Sequence, residues 1–333
     1  MLCSMNVAAR ADNAVLAIGL MSGTSADGID AALIEIRGAF PDLKIKQRGF
    51  LCVPFEVQLR EKIGRAPQMR APEIAVLNVE LGEAFADAAM RVLTSCDVRA
   101  DDVFCIGSHG QTICHLPERG ATLQIGEGAT IAERTNITTV CDFRPRDLAA
   151  GGQGAPLVPI VDYILFRDRQ RGRIVQNIGG IANWTWLAPD AKLEEIQACD
   201  SGPGNMVIDE CVRVLTNGAQ LFDENGAMAA RGNVDENWLD EILRHPYFRL
   251  SPPKTCGREQ FGAEYALWFL AEAKRRNLGD NDCVATATAL TAASMVQSYN
   301  HVSTHNVPVD VILCGGGAFN VTLQRMIAEY LKQ

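Results

Sequence analysis

With 333 residues, 47% of them hydrophobic and 21% charged, the chain has enough apolar mass for two domains and lacks the composition of a disordered protein. A formal net charge of −9 excludes general binding along a phosphate backbone, because no basic surplus exists to displace counterions. A small anion gripped locally by a few Arg remains compatible with that charge. The apolar runs are far shorter than a bilayer span, so neither nucleic acid nor membrane is an expected partner. Met1 to Asn13 carry one Arg and no apolar run ahead of a cleavage site, which predicts no secretory leader. Eleven Cys are scattered singly with no Cys-x-x-Cys pair, so reduced thiols and a cytoplasmic location are expected.

In chain order, an apolar run from Ala14 to Leu20 enters a turn of Ser, Gly, Thr and Asp, and a second run from Ile29 to Ile36 leaves it. This predicts a strand, a Gly-rich turn and a strand. Small residues in the turn let backbone N–H groups crowd around an anion, and Asp27 and Asp30 are suited to a hydrated metal ion. An ordinary hairpin turn carries the same residue types, so the reading gains weight only through recurrence. A third strand is expected near Gln47 to Val53. Pro72 opens a helix with Ile74, Leu77, Leu81, Ala84, Phe85, Ala88 and Val92 on one face. Val103 to Gly107 is expected as a short buried strand delivering Ser108-His109-Gly110-Gln111-Thr112 beyond its end. Thr138 to Phe143 is expected as another, delivering Asp142, Arg144 and Asp147. Ligands of open α/β sheets bind just past such strand ends.

Gly151 to Pro156 reads as a connector, followed by a helix from about Pro156 to Arg167. The plan then repeats: a hairpin from Ile174 to Leu187 turning at Gly179-Gly180, a strand near Glu195 to Cys199, and a helix from about Asn205. Helical stretches are expected at about 236–244, 259–276 and 283–298. A last strand, Val309 to Cys314, precedes Gly315-Gly316-Gly317 and a helix from Asn320. Three Gly-rich loops on strand ends suggest a nucleotide held between two halves of duplicated plan.

Four constellations carry chemistry. Asp200 stands at the end of an apolar strand before Gly202-Pro203-Gly204, where a carboxylate can act as a general base or cap a turn. His109, Gln111, Thr112 and His115 form a polar set without a third metal ligand at recognisable spacing. Substrate hydrogen bonding is therefore favoured over metal, with loop stabilisation the alternative. Arg144 supplies a guanidinium that can grip a carboxylate bidentately or form a structural pair with a neighbouring Asp. The triplet Gly315 to Gly317 lets a nucleobase or ribose approach the backbone closely.

Taken together, these residues resemble the anhydro-N-acetylmuramic acid kinase family of bacterial cell-wall recycling. The blocks that match are Gly19 to Ser25 with Asp27-Gly28-Ile29-Asp30, Ser108 to Thr112, Asp142 to Arg144, Gly151 to Pro159, Asn177 to Gly180, Asp200 with Gly202 to Asn205, and Gly315 to Gly317 with Asn320. They occur in order over about residues 15–325. The resemblance implies an α/β fold of two actin-like, ribonuclease H-like domains, residues 1–150 and 151–333, with a nucleotide cleft between them. It implies that ATP, with Mg²⁺, and water convert 1,6-anhydro-N-acetylmuramic acid to N-acetylmuramic acid 6-phosphate. Asp200 would be the catalytic base. Gly23, Thr24, Ser25, Asp27, Gly28 and Asp30, with Gly179, Gly180, Gly315, Gly316 and Gly317, would bind nucleotide. His109, Thr112 and Arg144 would contact the sugar, and Asp27 is the candidate metal ligand. Many such kinases form homodimers. Family members usually continue past the last helix with a strand and helix that carry an acidic substrate-site residue, which no residue of this sequence matches. The competing expectation is therefore a catalytically weak sugar- or nucleotide-binding member.

Overall fold

A computed structural model describes residues 14–23, 26–302 and 307–332. Contacts divide the chain into two units, Met1–Leu157 and Val158–Gln333. Thr24 and Ser25 lie outside the described residues.

In the first unit, β1 (Val15–Ser22), β2 (Gly28–Arg37) and β3 (Lys44–Pro54) form an antiparallel meander. The chain continues through α1 (Val57–Arg65) and α2 (Ala71–Ser95) to β4 (Val103–Leu116), which pairs parallel to β1. β5 (Ala121–Ile125), α3 (Gly128–Thr135), β6 (Thr139–Val140) and α4 (Phe143–Ala149) complete the unit. The sheet order is β3-β2-β1-β4-β5, with the short β6 on β4. The apolar alternation of β1 and β2 supplies Ile18, Leu20, Ile29 and Leu33. The helical period of α2 brings Leu77, Leu81, Phe85, Ala88 and Val92 down onto them, all nearly inaccessible.

The second unit repeats the order. β7 (Gly172–Ile178), β8 (Ile181–Leu187) and β9 (Gln197–Pro203) form an antiparallel meander after α5 (Val158–Phe166). Helices α6 (Asn205–Leu215), α7 (Glu236–Leu243), α8 (Pro246–Arg249), α9 (Arg258–Phe261), α10 (Ala263–Arg275) and α11 (Asp280–Ser298) lead to β10 (Val309–Cys314), parallel to β7, and then to α12 (Val321–Tyr330). The order β9-β8-β7-β10 matches β3-β2-β1-β4 strand for strand. Two mixed sheets of one topology realise the actin-like α/β class. No helix among the described residues is long and apolar enough to cross a membrane.

Helix α11 lies at the centre of its unit. Every residue from Cys283 to Met295 is buried, and small Ala and Thr side chains let α6, α7, α12 and β9 approach it. Its buried hydroxyls are satisfied on backbone: Thr288 Oγ1 donates to Val284 O at 2.8 Å, and Thr291 Oγ1 donates to Gly204 O at 2.9 Å. The second of these bonds anchors the turn that follows Asp200.

Three expectations need correction. β4 does not stop at Gly107 but runs through Ser108 to Thr112, because pairing with β5 continues at Gln111↔Ile125 and Thr112↔Gln124. Asp200 lies inside β9 rather than past its end, since β8 pairs with it at Asn183. The expected strand Thr138 to Phe143 shrinks to two residues, because Asp142 takes a left-handed conformation with φ 62° and turns the chain into α4.

Replacing Phe85 with Ala should destabilise the protein by about 3–5 kcal/mol, the usual effect of emptying a fully buried aromatic site. Urea unfolding measures this directly. A loss below about 1 kcal/mol would show that α2 is not packed on the sheet.

Candidate active site

In the first unit the β1–β2 turn is stitched to β4 by a buried amide. Gln111 is 2% exposed, and its Nε2 donates to Gly23 O at 3.2 Å. The Ser22 hydroxyl lies 2.7 Å from Gln111 Oε1 and 2.8 Å from Gly28 O and shares its one hydrogen between them. These bonds exist because Ser22 and Gln111 are register partners in the parallel β1–β4 pair. Gly28 is required by its neighbour strand: a Cβ there would stand 2.5 Å from Val53 O. Its glycine identity therefore has a packing reason independent of phosphate. Asp27 O accepts from Phe55 N at 3.1 Å, and Asp30 pairs with Met21 and Cys52 across the meander. Among the described residues no three His, Cys, Asp or Glu cluster as metal ligands. Carboxylates that do not cluster suit a Mg²⁺ that keeps most of its water and phosphate ligands.

Arg144 sits one step along the same unit. Its Nε donates to His109 Nε2 at 2.9 Å and its Nη1 donates to Gly154 O at 2.7 Å. A donor at Nε2 places the His109 proton on Nδ1, which donates to Gly110 O at 3.0 Å. Burial holds the His109 pKa below its usual range, and the Arg144 charge acts in the same direction. The imidazole is thus a neutral acceptor that orients the guanidinium. Arg144 Nη2 has no partner among the described residues and can meet a ligand carboxylate. Thr112 Oγ1 accepts from Gln124 Nε2 at 3.3 Å.

In the second unit the second Gly turn and the Gly triplet converge. Gly179 O accepts from Asn205 N at 2.8 Å, and Gly180 O accepts from Gly204 N at 2.9 Å and Met206 N at 3.2 Å. The first N–H groups of α6 are therefore engaged by this turn rather than offered to an anion. Asn205 Nδ2 donates to Ile178 O at 3.2 Å. Gly315 has φ +80°, and a Cβ on it would meet Asn177 Oδ1 at 2.6 Å; one on Gly317 would meet Asn205 Oδ1 at 2.7 Å. Gly316 has space, with its nearest neighbour, Asn205 Nδ2, 3.7 Å from a built Cβ. Gly179, Gly180 and Gly315 to Gly317 thus form one backbone-rich surface around Asn205.

Asp200 is held from three sides by a segment about fifty residues later. Its N–H donates to Lys254 O at 3.1 Å, its carbonyl accepts from Tyr247 Oη at 2.8 Å, and its Oδ2 accepts from Cys256 N at 3.0 Å. Lys254, 7% exposed, closes the segment on itself: Nζ donates to Tyr247 O at 3.2 Å and sits 4.6 Å from the Tyr247 ring centre. Burial raises the Asp200 pKa, and the Cys256 N–H opposes that rise. A carboxylate raised in this way and held by one oxygen is suited to accept a proton at the other. Tyr247, Lys254 and Cys256 were not found from sequence. The only local signal is Pro252-Pro253, which marks a stiff loop but says nothing of what the loop touches.

Residues 15–333 match the family model described as anhydro-N-acetylmuramic acid kinase. A protein of that name from Caldanaerobacter subterraneus subsp. tengcongensis is 47% identical over 330 residues, covering 96% of this chain and 83% of that protein. Another from Gloeobacter violaceus is 42% identical, covering 95% and 84%. Among solved structures, component A of the (R)-2-hydroxyglutaryl-CoA dehydratase of Acidaminococcus fermentans aligns with a TM-score of 0.48 at 11% identity, covering 96% of this chain and 89% of that one.

The Asp200 carboxylate should lower stability near neutral pH. Its pKa is raised above 3.8 by folding, so its favourable contribution is present below that value and is lost as pH rises through the folded pKa. Asp200→Asn should therefore raise the unfolding free energy at pH 7, on the order of 0.5–2 kcal/mol. The gain should shrink toward pH 4, as the wild-type group takes up its proton in the folded state. Urea unfolding at both pH values checks this, and a variant no more stable at pH 7 would show that Asp200 is not penalised by burial.

Proposed function

The chain belongs to the anhydro-N-acetylmuramic acid kinase family and is a carbohydrate kinase; from that membership we propose that it uses ATP to open the 1,6-anhydro bridge of anhydro-N-acetylmuramic acid and phosphorylate O6. The observation that carries the reading onto a residue is Asp200. One carboxylate oxygen is held by Cys256 N–H, and the other has no partner among the described residues. That oxygen takes the proton of a water attacking C1. The C1–O6 bond breaks, O6 leaves with the electron pair, and O6 then takes the γ-phosphoryl group of ATP, releasing ADP. Phosphoryl capture makes a poor alkoxide leaving group acceptable, so one base serves both bond changes.

The residues divide the remaining work. Arg144, oriented by neutral His109, holds the lactyl carboxylate through its spare Nη2 hydrogens. The β1–β2 turn, braced by Gln111, offers backbone N–H groups to the triphosphate. The surface formed by Gly179, Gly180 and Gly315 to Gly317 lets the nucleoside approach the backbone. Mg²⁺, when bound with ATP, neutralises phosphate charge, and Asp27 is the carboxylate offered to its shell. None of the ten described cysteines is in a disulfide, which supports a reducing compartment, the cytoplasm.

Asp200→Asn should lower ring opening and O6 phosphorylation together by roughly 10²–10⁴-fold while ATP binding survives. ADP release followed beside mass detection of the ring-opened phosphate reads both. Retained turnover removes Asp200 from the chemistry. Arg144→Ala should reduce kcat/KM by about 1.5–3 kcal/mol equivalent, chiefly through KM. Unchanged kcat/KM would assign Arg144 a purely structural part.

A further inference from the structure

Helix α10 carries two apolar faces. Its inner stripe, Ala266, Phe269 and Ala273, is buried in the core of the second unit. The outer stripe of a surface helix is ordinarily polar. Here it runs Glu264, Leu267, Trp268, Ala271 and Lys274, all exposed. Leu267 is 52% exposed and Trp268 43%, whereas the other three Trp of the chain, Trp184, Trp186 and Trp238, are buried. Trp268 is also fixed in place. Its ring centre lies 5.1 Å from that of Tyr265, which in turn lies 5.1 Å from the ring of Phe261 in the core. A large aromatic side chain that is already ordered at the surface gives up little entropy when it is covered, which is the property of an interface anchor.

The order of these side chains says what covers them. A carboxylate, Glu264, stands one turn before the apolar centre, and an ammonium, Lys274, stands one turn after it. Neither has an ion pair among the described residues. They lie about 15 Å apart along the helix axis. A stripe that reads acid, apolar, apolar, base in one direction is its own complement in the other. We propose that this face of α10 is the interface of a two-fold homodimer, packed antiparallel on α10 of a second copy. Glu264 of each protomer then meets Lys274 of the other. Leu267 and Trp268 cover the other protomer's Ala271, whose small side chain leaves room for the indole. Two-fold symmetry makes each of these contacts twice. A parallel arrangement would set Glu264 on Glu264 and Lys274 on Lys274. A partner surface of one charge sign would be attracted at one end of the stripe and repelled at the other. One helix on one helix covers less than a standard interface, so the dimer is reversible, with a Kd on the order of micromolar.

Sedimentation velocity of the full chain over a range of concentrations tests this. Acrylamide quenching of Trp fluorescence adds a local readout, because Trp268 alone of the four Trp is exposed. Wild type should pass from monomer to dimer, and quenching should fall over the same concentrations. Glu264→Lys or Lys274→Glu alone sets like charges together at both ends and should weaken self-association about tenfold. Glu264→Lys combined with Lys274→Glu restores both pairs and should recover the wild-type affinity. The helix dipole opposes that double variant, which has a cation in its first turn and an anion in its last, so the recovery does not come from a steadier helix. Trp268→Ala should leave the protein monomeric, with thermal melts confirming that each variant is folded. A wild type that stays monomeric at every concentration overturns the proposal. So does a dimer that keeps its affinity in Trp268→Ala or in both single charge variants, and so does a double variant that associates no more tightly than the singles. Quenching protection that needs a different macromolecule, with no self-association, would give the face to another occupant and overturn the homodimer.

Discussion

Parallel pairing of the crossover strand to the first strand of each meander is the constraint on which the rest of the molecule depends. In the first unit it sets Ser22 beside Gln111, and in the second it sets Asn177 beside Cys314. A hairpin turn and a segment far away in sequence are thereby brought to the same end of one sheet. An antiparallel meander alone would end in a bare turn. The crossover strand adds the second wall: Gln111 against the β1–β2 turn, and the Gly triplet against Ile178 and Asn205. Because the pairing recurs, both units present a turn backed by a later segment, and each can take a different part of the ligands.

The site groups are held unusually well for what they leave unsatisfied. Asp200 is clamped at its N–H, its carbonyl and one carboxylate oxygen, with the other oxygen without a partner among the described residues. Arg144 is fixed at Nε and Nη1, with Nη2 spare. Ser108 Oγ and Gln124 Oε1 are buried without partners. Asp200 and Arg144 are each oriented by part of their bonding capacity, which leaves the remainder for a ligand. Buried polar groups left open cost stability, and they are retained where a ligand completes them.

The supporting residues show how that strain is carried. Thr291 in the buried stretch of α11 ties down Gly204. Gly179 and Gly180 carbonyls fill the first N–H groups of α6. Lys254 folds back on Tyr247, so the segment that grips Asp200 is itself closed. None of these groups needs to touch substrate to matter, because each limits how far Asp200 can move.

Local pattern in the sequence was sufficient for the elements and the chemistry-bearing motifs. Apolar alternation marked both hairpins, the helical period marked α2, and the Gly clusters marked the turns, because each signal lies within a few residues of chain. The ordered blocks also carried family membership, which the relatives bear out. Tertiary structure alone decided that β4 continues through Ser108 to Thr112, since strand length there depends on pairing with β5. It alone placed Asp200 inside β9 and in the grip of Tyr247, Lys254 and Cys256. It alone left Ser108 Oγ and Gln124 Oε1 without partners among the described residues, because partnership is a property of the closed interior. Periodicity and turn chemistry report what a residue can do beside its neighbours in sequence; which distant groups complete it, or fail to, is set only when the sheets pair and the loops close on them.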